Sequence, residues 1–291
     1  FMILSGFLMA LNAYERAAKE PITRPSSWII FYIRRIFRIA PAYYFSLVVA
    51  VLLAKYHLRG AALLADRIPW LADSIYNGRH IAYSAENIMI HVTFIFGVIP
   101  SWVFSTQLPD WSLSLEMQYY LIFPAITYVI TRFGPLKISA ILVLICVLAT
   151  TRLRSMFPEP SLLIFKLPVF LTGMFIFYAT TASSQYKRIL LSIGALALPI
   201  TQVQFYGRNA AWVTIAAGSI LLLNINYKPH SILSNIKYII TYLFDNNITK
   251  FGSDISYSIY LFHGFFITIV GGALFSNHAF LALNPHLRTA T

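Results

Sequence analysis

The sequence is short of charge and almost without cysteine. Charged residues make up 11% of its 291 positions, where a soluble domain carries about 25%. That shortage excludes an ordinary water-soluble fold, and a mean hydropathy of +0.68 agrees. Only ten residues are acidic against 22 Lys and Arg, a net charge of +12. On a soluble protein this excess would suggest nucleic acid. No RNA- or DNA-binding pattern accompanies it here, and basic loops beside anionic headgroups explain it. Cys146, the single cysteine, excludes an internal disulfide and a thiolate metal cluster. It lies in the apolar run Ile141 to Leu148 and reads as a small buried hydrophobe. No HxxH or HExxH spacing suggests a metal, and no GxSxG suggests a serine-hydrolase elbow. The opening residues Phe1 to Met9 lack the basic n-region and small-residue cleavage site of a signal peptide. Their apolar run stops near Tyr14, too short to span a core about 30 Å thick. We expect the chain to begin partway through a helix, with a piece upstream.

What the chain has in abundance is apolar runs. They fall at 1–14, 39–54, 86–104, 113–131, 138–151, 161–180, 189–203, 210–225 and 255–275. Only helices and closed barrels satisfy their backbone in lipid, and no period-2 alternation supports a barrel. The expected fold is all-α, a polytopic integral membrane helical bundle forming one domain over 1–291. Turns are expected at Phe133-Gly134-Pro135, Pro158-Glu159-Pro160, Gly207-Arg208-Asn209 and Lys228-Pro229. The run 86–104 carries His91, Gly97 and Pro100. If it spans, the side shared with 15–38 holds about nine Lys and Arg. If it does not, that side holds about thirteen, which the positive-inside rule favours. We therefore place 15–38 in the cytoplasm, with 86–104 dipping into the bilayer.

Three segments carry candidate chemistry. The first centres on Glu116, in Trp111-Ser112-Leu113-Ser114-Leu115-Glu116-Met117-Gln118-Tyr119-Tyr120. An ionisable group inside a membrane helix costs about 2.5–3.5 kcal/mol on insertion scales. Ser112, Glu116, Tyr119 and Tyr120 would share one polar stripe, with Trp111 at the interface. The carboxylate reads either as a structural partner of an arginine or as a cavity-facing base that acts directly or orients a histidine. The second is Arg34, Arg35 and Arg38, which share a broad helix face. They read as a headgroup anchor or as a phosphate clamp built from guanidinium forks. The third is Ser256, Tyr260 and His263, on one face of a helix. A histidine there is more often a packing residue than a catalyst.

Four segments in order carry a resemblance. They are Ser5-Gly6-Phe7, the RxxR of Arg35 and Arg38 with Pro41 and Tyr43 after it, Trp111-Ser112-Leu113 with Glu116 and Tyr119-Tyr120, and Ser256-Tyr257-Ser258-Ile259-Tyr260-Leu261 with His263. The chain resembles the acyltransferase 3 family of membrane O-acyltransferases over nearly its whole length. The resemblance implies transfer of an acyl group, usually acetyl, from cytoplasmic acyl-coenzyme A to a hydroxyl of a carbohydrate or lipid-linked glycan. It implies a plasma (inner) membrane location and no metal. Arg35 and Arg38 map onto the donor site and Glu116 onto the family's glutamate. The family's essential histidine is expected upstream of Phe1 and a further helix after the Ser-Tyr-Ser segment, so the fragment alone is expected to be inactive. Two other classes remain at this point: a proton-coupled transporter or flippase using Glu116 and His263, and a non-enzymatic membrane scaffold.

Overall fold

The computed structural model describes residues 1–68, 84–157, 161–202, 209–224 and 231–276. Among the described residues, eleven α-helices and several short 3-10 turns account for the regular structure, with no strand. The helices are α1 (Met2–Arg16), α2 (Pro25–Leu52), α3 (Ala54–Arg67), α4 (Ala85–Val92), α5 (Trp111–Phe133), α6 (Pro135–Leu153), α7 (Leu167–Thr181), α8 (Gln185–Ala197), α9 (Asn209–Asn224), α10 (Ile232–Phe244) and α11 (Asn247–Ser276). Among the described residues, four stretches are long and apolar enough to cross a membrane: Pro25–Leu52, Trp111–Phe133, Pro135–Met156 and Asn247–Ser276. The expectation of an all-α membrane bundle is met.

Local differences have physical causes. Helix α2 starts at Pro25, well before the expected run at 39, and passes through Pro41. The basic stretch hid its helical continuity, because hydropathy marks only the apolar part of a helix. Pro41 removes the helix donor to the Phe37 carbonyl one turn back, yet the helix runs through it. The Tyr257 hydroxyl donates to the Ile39 carbonyl at 3.3 Å. Helices α3 and α10 are amphipathic and were not foreseen as apolar runs. The run 86–104 is not one helix. Helix α4 has eight residues, about 12 Å of rise against a core of about 30 Å. Two 3-10 turns follow, Ile95–Val98 and Pro100–Trp102, entered through Phe94 at φ 61°. The expected turn at Phe133-Gly134-Pro135 is present. Gly134 takes φ 91°, a conformation that favours glycine, and Pro135 opens α6. The turns expected at 158–160, 207–208 and 228–229 lie outside the described residues.

The chain divides into two compact units, 1–35 with 115–246, and 36–114 with 247–291. In the first unit α7 is the inner helix, with twelve of its fifteen residues buried. Helix α6 is also apolar yet buries few residues, and Ile141, Leu144, Ile145 and Leu148 lie exposed. An apolar helix with an exposed apolar face is dressed for lipid. Helices α1 and α7 cross backbone to backbone. A Cβ on Gly6 would lie 2.0 Å from the Phe170 carbonyl oxygen, and one on Gly173 would lie 2.0 Å from that of Ile3. Close approach through small residues replaces the hydrophobic drive that lipid cannot supply. In the second unit α3 and α11 cross in the same manner. A Cβ on Gly272 would meet the Gly60 Cα at 2.3 Å.

The α1–α7 crossing is therefore steric. Gly173→Val is expected to force the helices apart and lower the thermal midpoint in detergent by several degrees. An unchanged midpoint would show that the crossing carries no stability.

Candidate active site

In the first unit, Glu116 sits on the second turn of α5 and is buried. Its Oε1 accepts from the Ser5 Oγ at 3.2 Å and from the Tyr120 hydroxyl in a short hydrogen bond. Tyr120 lies one turn further along α5, the i, i+4 spacing that sets two side chains on one face. Ser5 arrives from α1, one residue before the glycine of the α1–α7 crossing. The close approach thus delivers a hydroxyl to the carboxylate. The Arg35 guanidinium lies 5.3 Å from the Tyr120 ring centre and 5.5 Å from that of Phe31, within cation–π range. Phe31 in turn stacks on Phe123 at 5.5 Å. One tyrosine therefore touches both halves of the cluster, the acid through its hydroxyl and the cation through its ring.

The other expected residues of this unit divide. Tyr119 turns inward, with its ring stacked on Phe170 at 4.1 Å. Its hydroxyl is buried with no hydrogen-bond partner among the described residues. Arg34 leaves the site and binds the Glu20 carboxylate with both guanidinium nitrogens. That contact holds the Glu20 carboxyl below its ordinary value. Arg34 and Arg35 take different partners, because successive helix positions diverge by about 100°.

In the second unit, Ser112 and Tyr260 meet at the start of α5. Ser112 Oγ and the Tyr260 hydroxyl lie 2.6 Å apart, and Tyr260 donates to the Pro109 carbonyl at 2.6 Å. Ser112 thus bonds Tyr260 instead of extending the stripe to Glu116. Ser256 is exposed and donates to the Ser253 carbonyl of its own helix. His263 is exposed, with Nδ1 at 2.8 Å from the Tyr260 carbonyl. Arg38 is exposed and Trp111 is half-buried.

Sequence reasoning missed a buried acid of this unit. Asp110 stands directly before α5 and is 1% exposed. Its Oδ2 accepts from Thr106 Oγ1 at 2.8 Å and from the Tyr43 hydroxyl at 3.0 Å, and His91 Nε2 lies 3.6 Å away. Burial pushes the Asp110 carboxyl up, against the opposing pull of His91, Thr106 and Tyr43. His91 is fully buried and stacks on Phe96 at 4.3 Å. Its Nδ1 meets the Asn87 carbonyl at 2.9 Å, and the Asn87 side chain exchanges two 2.8 Å bonds with Ser105. The signal was available: an aspartate and a histidine each stood beside apolar runs, where a charge is costly. Ser114 adds to the same scaffold. Its Oγ donates to the Phe94 carbonyl at 2.6 Å and accepts from Gly97 N at 3.1 Å. That accounts for the left-handed Phe94.

Among the described residues no group of three or more His, Cys, Asp or Glu is placed to hold a metal. What the geometry defines is a helical membrane protein with a buried, hydroxyl-fed carboxylate beside a stacked guanidinium.

The chain belongs to the acyltransferase 3 family, whose pattern, described as "Acyltransferase domain", matches residues 1–290. A protein of Komagataeibacter xylinus titled "Putative membrane-bound transacylase BcsY" is 32% identical over 145 residues, 48% of this chain. The match covers 33% of that relative's length. No solved structure matches the chain.

Two outcomes follow from these contacts. Tyr120→Phe removes a donor to a buried carboxylate and keeps the ring beneath Arg35. It is expected to lower stability by about 1–2 kcal/mol, read by reversible unfolding in detergent. No change there would mean that Glu116 does not depend on the tyrosine. For Glu20 the folded carboxyl is depressed, so its stabilisation is present above the unfolded value and lost as pH falls through the folded one. Proteolysis of the 17–24 segment should quicken on acidification in the wild type but show no such step in Glu20→Gln.

Proposed function

We propose that this chain is the membrane-embedded domain of an O-acyltransferase, moving an acyl group, in our reading acetyl, from cytoplasmic acyl-coenzyme A to a hydroxyl of a carbohydrate or lipid-linked glycan. The observation that carries the proposal is the Glu116 cluster: a buried acid supplied with hydroxyls by Ser5 and Tyr120 from two helices, and the Arg35 guanidinium stacked on the Tyr120 ring. Family membership supports the reaction class.

A thioester is already activated. The reaction needs a base for the acceptor hydroxyl, stabilisation for the oxyanion and two reactants held together. The acceptor oxygen attacks the thioester carbonyl, its proton passes to the base, and the coenzyme A thiolate leaves and is protonated. In this reading Glu116 serves the base function, directly or by orienting a histidine. Ser5 and Tyr120 hold the carboxylate's orientation. The donor reading rests on Arg35 and Arg38, one turn apart on α2, because Arg34 is committed to Glu20. Guanidinium groups suit the phosphates of coenzyme A. Aromatic side chains such as Tyr119 and Tyr120 would line the acceptor's route. The domain works as one catalytic piece, in the plasma (inner) membrane.

In the full-length protein, Glu116→Gln is expected to lower acyl transfer at least about a hundredfold with normal membrane insertion. Retained turnover would count against the assignment. Arg38→Ala is expected to weaken acyl-coenzyme A binding about tenfold with little loss of stability, and an unchanged titration would refute a donor role. Mass spectrometry of cell-envelope glycans with and without the gene should show a lost acyl increment.

A further inference from the structure

The buried network of the second unit contains a proton that the acyl-transfer chemistry does not use. His91 Nδ1 lies 2.9 Å from the Asn87 carbonyl oxygen. A carbonyl only accepts, so Nδ1 carries a hydrogen. His91 Nε2 then faces Asp110 Oδ2 at 3.6 Å and has no hydrogen-bond partner among the described residues. A neutral imidazole of that tautomer would aim a lone pair at an ionised carboxylate, in an interior where both side chains are at most 2% exposed. Low local dielectric makes such an unpaired charge costly. One further proton between the two groups removes the conflict. It makes either an imidazolium–carboxylate pair or a neutral acid facing a neutral ring, and both have zero net charge.

The position of the pair gives the proton a consequence. The Asp110 backbone carbonyl accepts from Leu113 N at 2.8 Å and Ser114 N at 3.3 Å, so it begins the hydrogen-bond ladder of α5. Its side chain ties that start to α2 through Tyr43 and to the 105–107 segment through Thr106. His91 ties it to α4. Helix α5 then continues unbroken to Phe133 and carries Glu116 six residues further on.

We propose that His91 and Asp110 jointly hold one proton that latches the start of α5, making both of them positioning residues for Glu116. The latch stands on the geometry alone, whereas the link to Glu116 rests on the function proposed above. The titratable groups facing the pair are few. From α2, Tyr43 bonds Oδ2, and Tyr44 donates to the Val92 carbonyl at 2.8 Å. From α11, Tyr257 lies near Tyr43. From α3, His57 is buried and stacks on Phe265 at 5.2 Å. On α4 itself, Glu86 is exposed. Asp110 is the carboxylate of this set that meets His91.

The sign follows from linkage. The folded pair holds a proton that the unfolded chain releases near neutrality, so stability falls as pH rises through the window in which the pair deprotonates. Asp110→Asn keeps the shape and removes the proton. With its carbonyl oxygen at the Oδ2 position it still accepts from Tyr43 and Thr106, and it holds no carboxyl group to share a proton with His91. His91→Gln presents an amide N–H to the Asp110 carboxylate and does the same from the other side. Tyr43→Phe removes a donor that favours the ionised acid, so the pair should keep its proton to higher pH.

The test is the unfolding equilibrium of the full chain in detergent, followed over a pH series from mildly acidic to alkaline. The wild-type unfolding constant should rise by up to about tenfold per pH unit on the alkaline side. Asp110→Asn and His91→Gln should flatten that limb, and Tyr43→Phe should move it upward. Acyl transfer by the same variants should show the same limb, flattened in Asp110→Asn. Should Asp110→Asn fail to insert, the other two variants decide. Unfolding profiles parallel to wild type in the amide variants, or an unmoved limb in Tyr43→Phe, overturn the latch. A limb that moves in unfolding but not in acyl transfer overturns the positioning role. Absence of transfer in the wild type sinks the proposed function, and the unfolding data still judge the latch.

Discussion

A carboxylate taken out of water must be given donors, and the described structure is organised around two acids that obey this requirement. Glu116 and Asp110 lie six residues apart, one inside α5 and one immediately before it. Each is fed by hydroxyls from elsewhere in the chain: Ser5 and Tyr120 for Glu116, Tyr43 and Thr106 for Asp110. A hydroxyl is the economical donor in an apolar bundle. It satisfies an anion without importing a second full charge, whose own desolvation would be large.

Helix contacts explain how the donors arrive. Where lipid removes the hydrophobic drive between helices, packing relies on close approach, and the glycines of α1 and α7 permit it. Gly6 and Gly173 bring the α1 and α7 backbones together, and Ser5 reaches Glu116 from that crossing. Gly60 and Gly272 do the equivalent for α3 and α11 in the other unit. In that unit Tyr260 and Tyr257 use their hydroxyls on backbone carbonyls, at Pro109 and Ile39. The Ser256–His263 face is not engaged as a unit here. Its two ends are exposed, and its middle member makes the long-range bonds.

Much of the site was legible one residue at a time. Glu116 stood out because a carboxylate in an apolar run demands a reason. Tyr120 followed from helical spacing. The three arginines were legible as cations but not as individuals. Their separate engagements, Arg34 with Glu20 and Arg35 with Tyr120 and Phe31, depend on which way each side chain leaves the helix. Asp110 and His91 escaped notice as a pair because nineteen positions separate them and no spacing rule links them. Only the fold of the 84–110 segment brings them to 3.6 Å.

Composition and hydropathy alone determined that this chain is a helical membrane protein, since long uncharged runs leave the backbone no other way to satisfy itself in lipid. They also determined that Glu116 needed partners. The tertiary structure decided which partners those are, split the three arginines among different tasks, and revealed Asp110 and His91 as a buried couple. Hydropathy is a property of neighbours along the chain, whereas a hydrogen bond to a buried acid is made by groups that become neighbours only when helices cross.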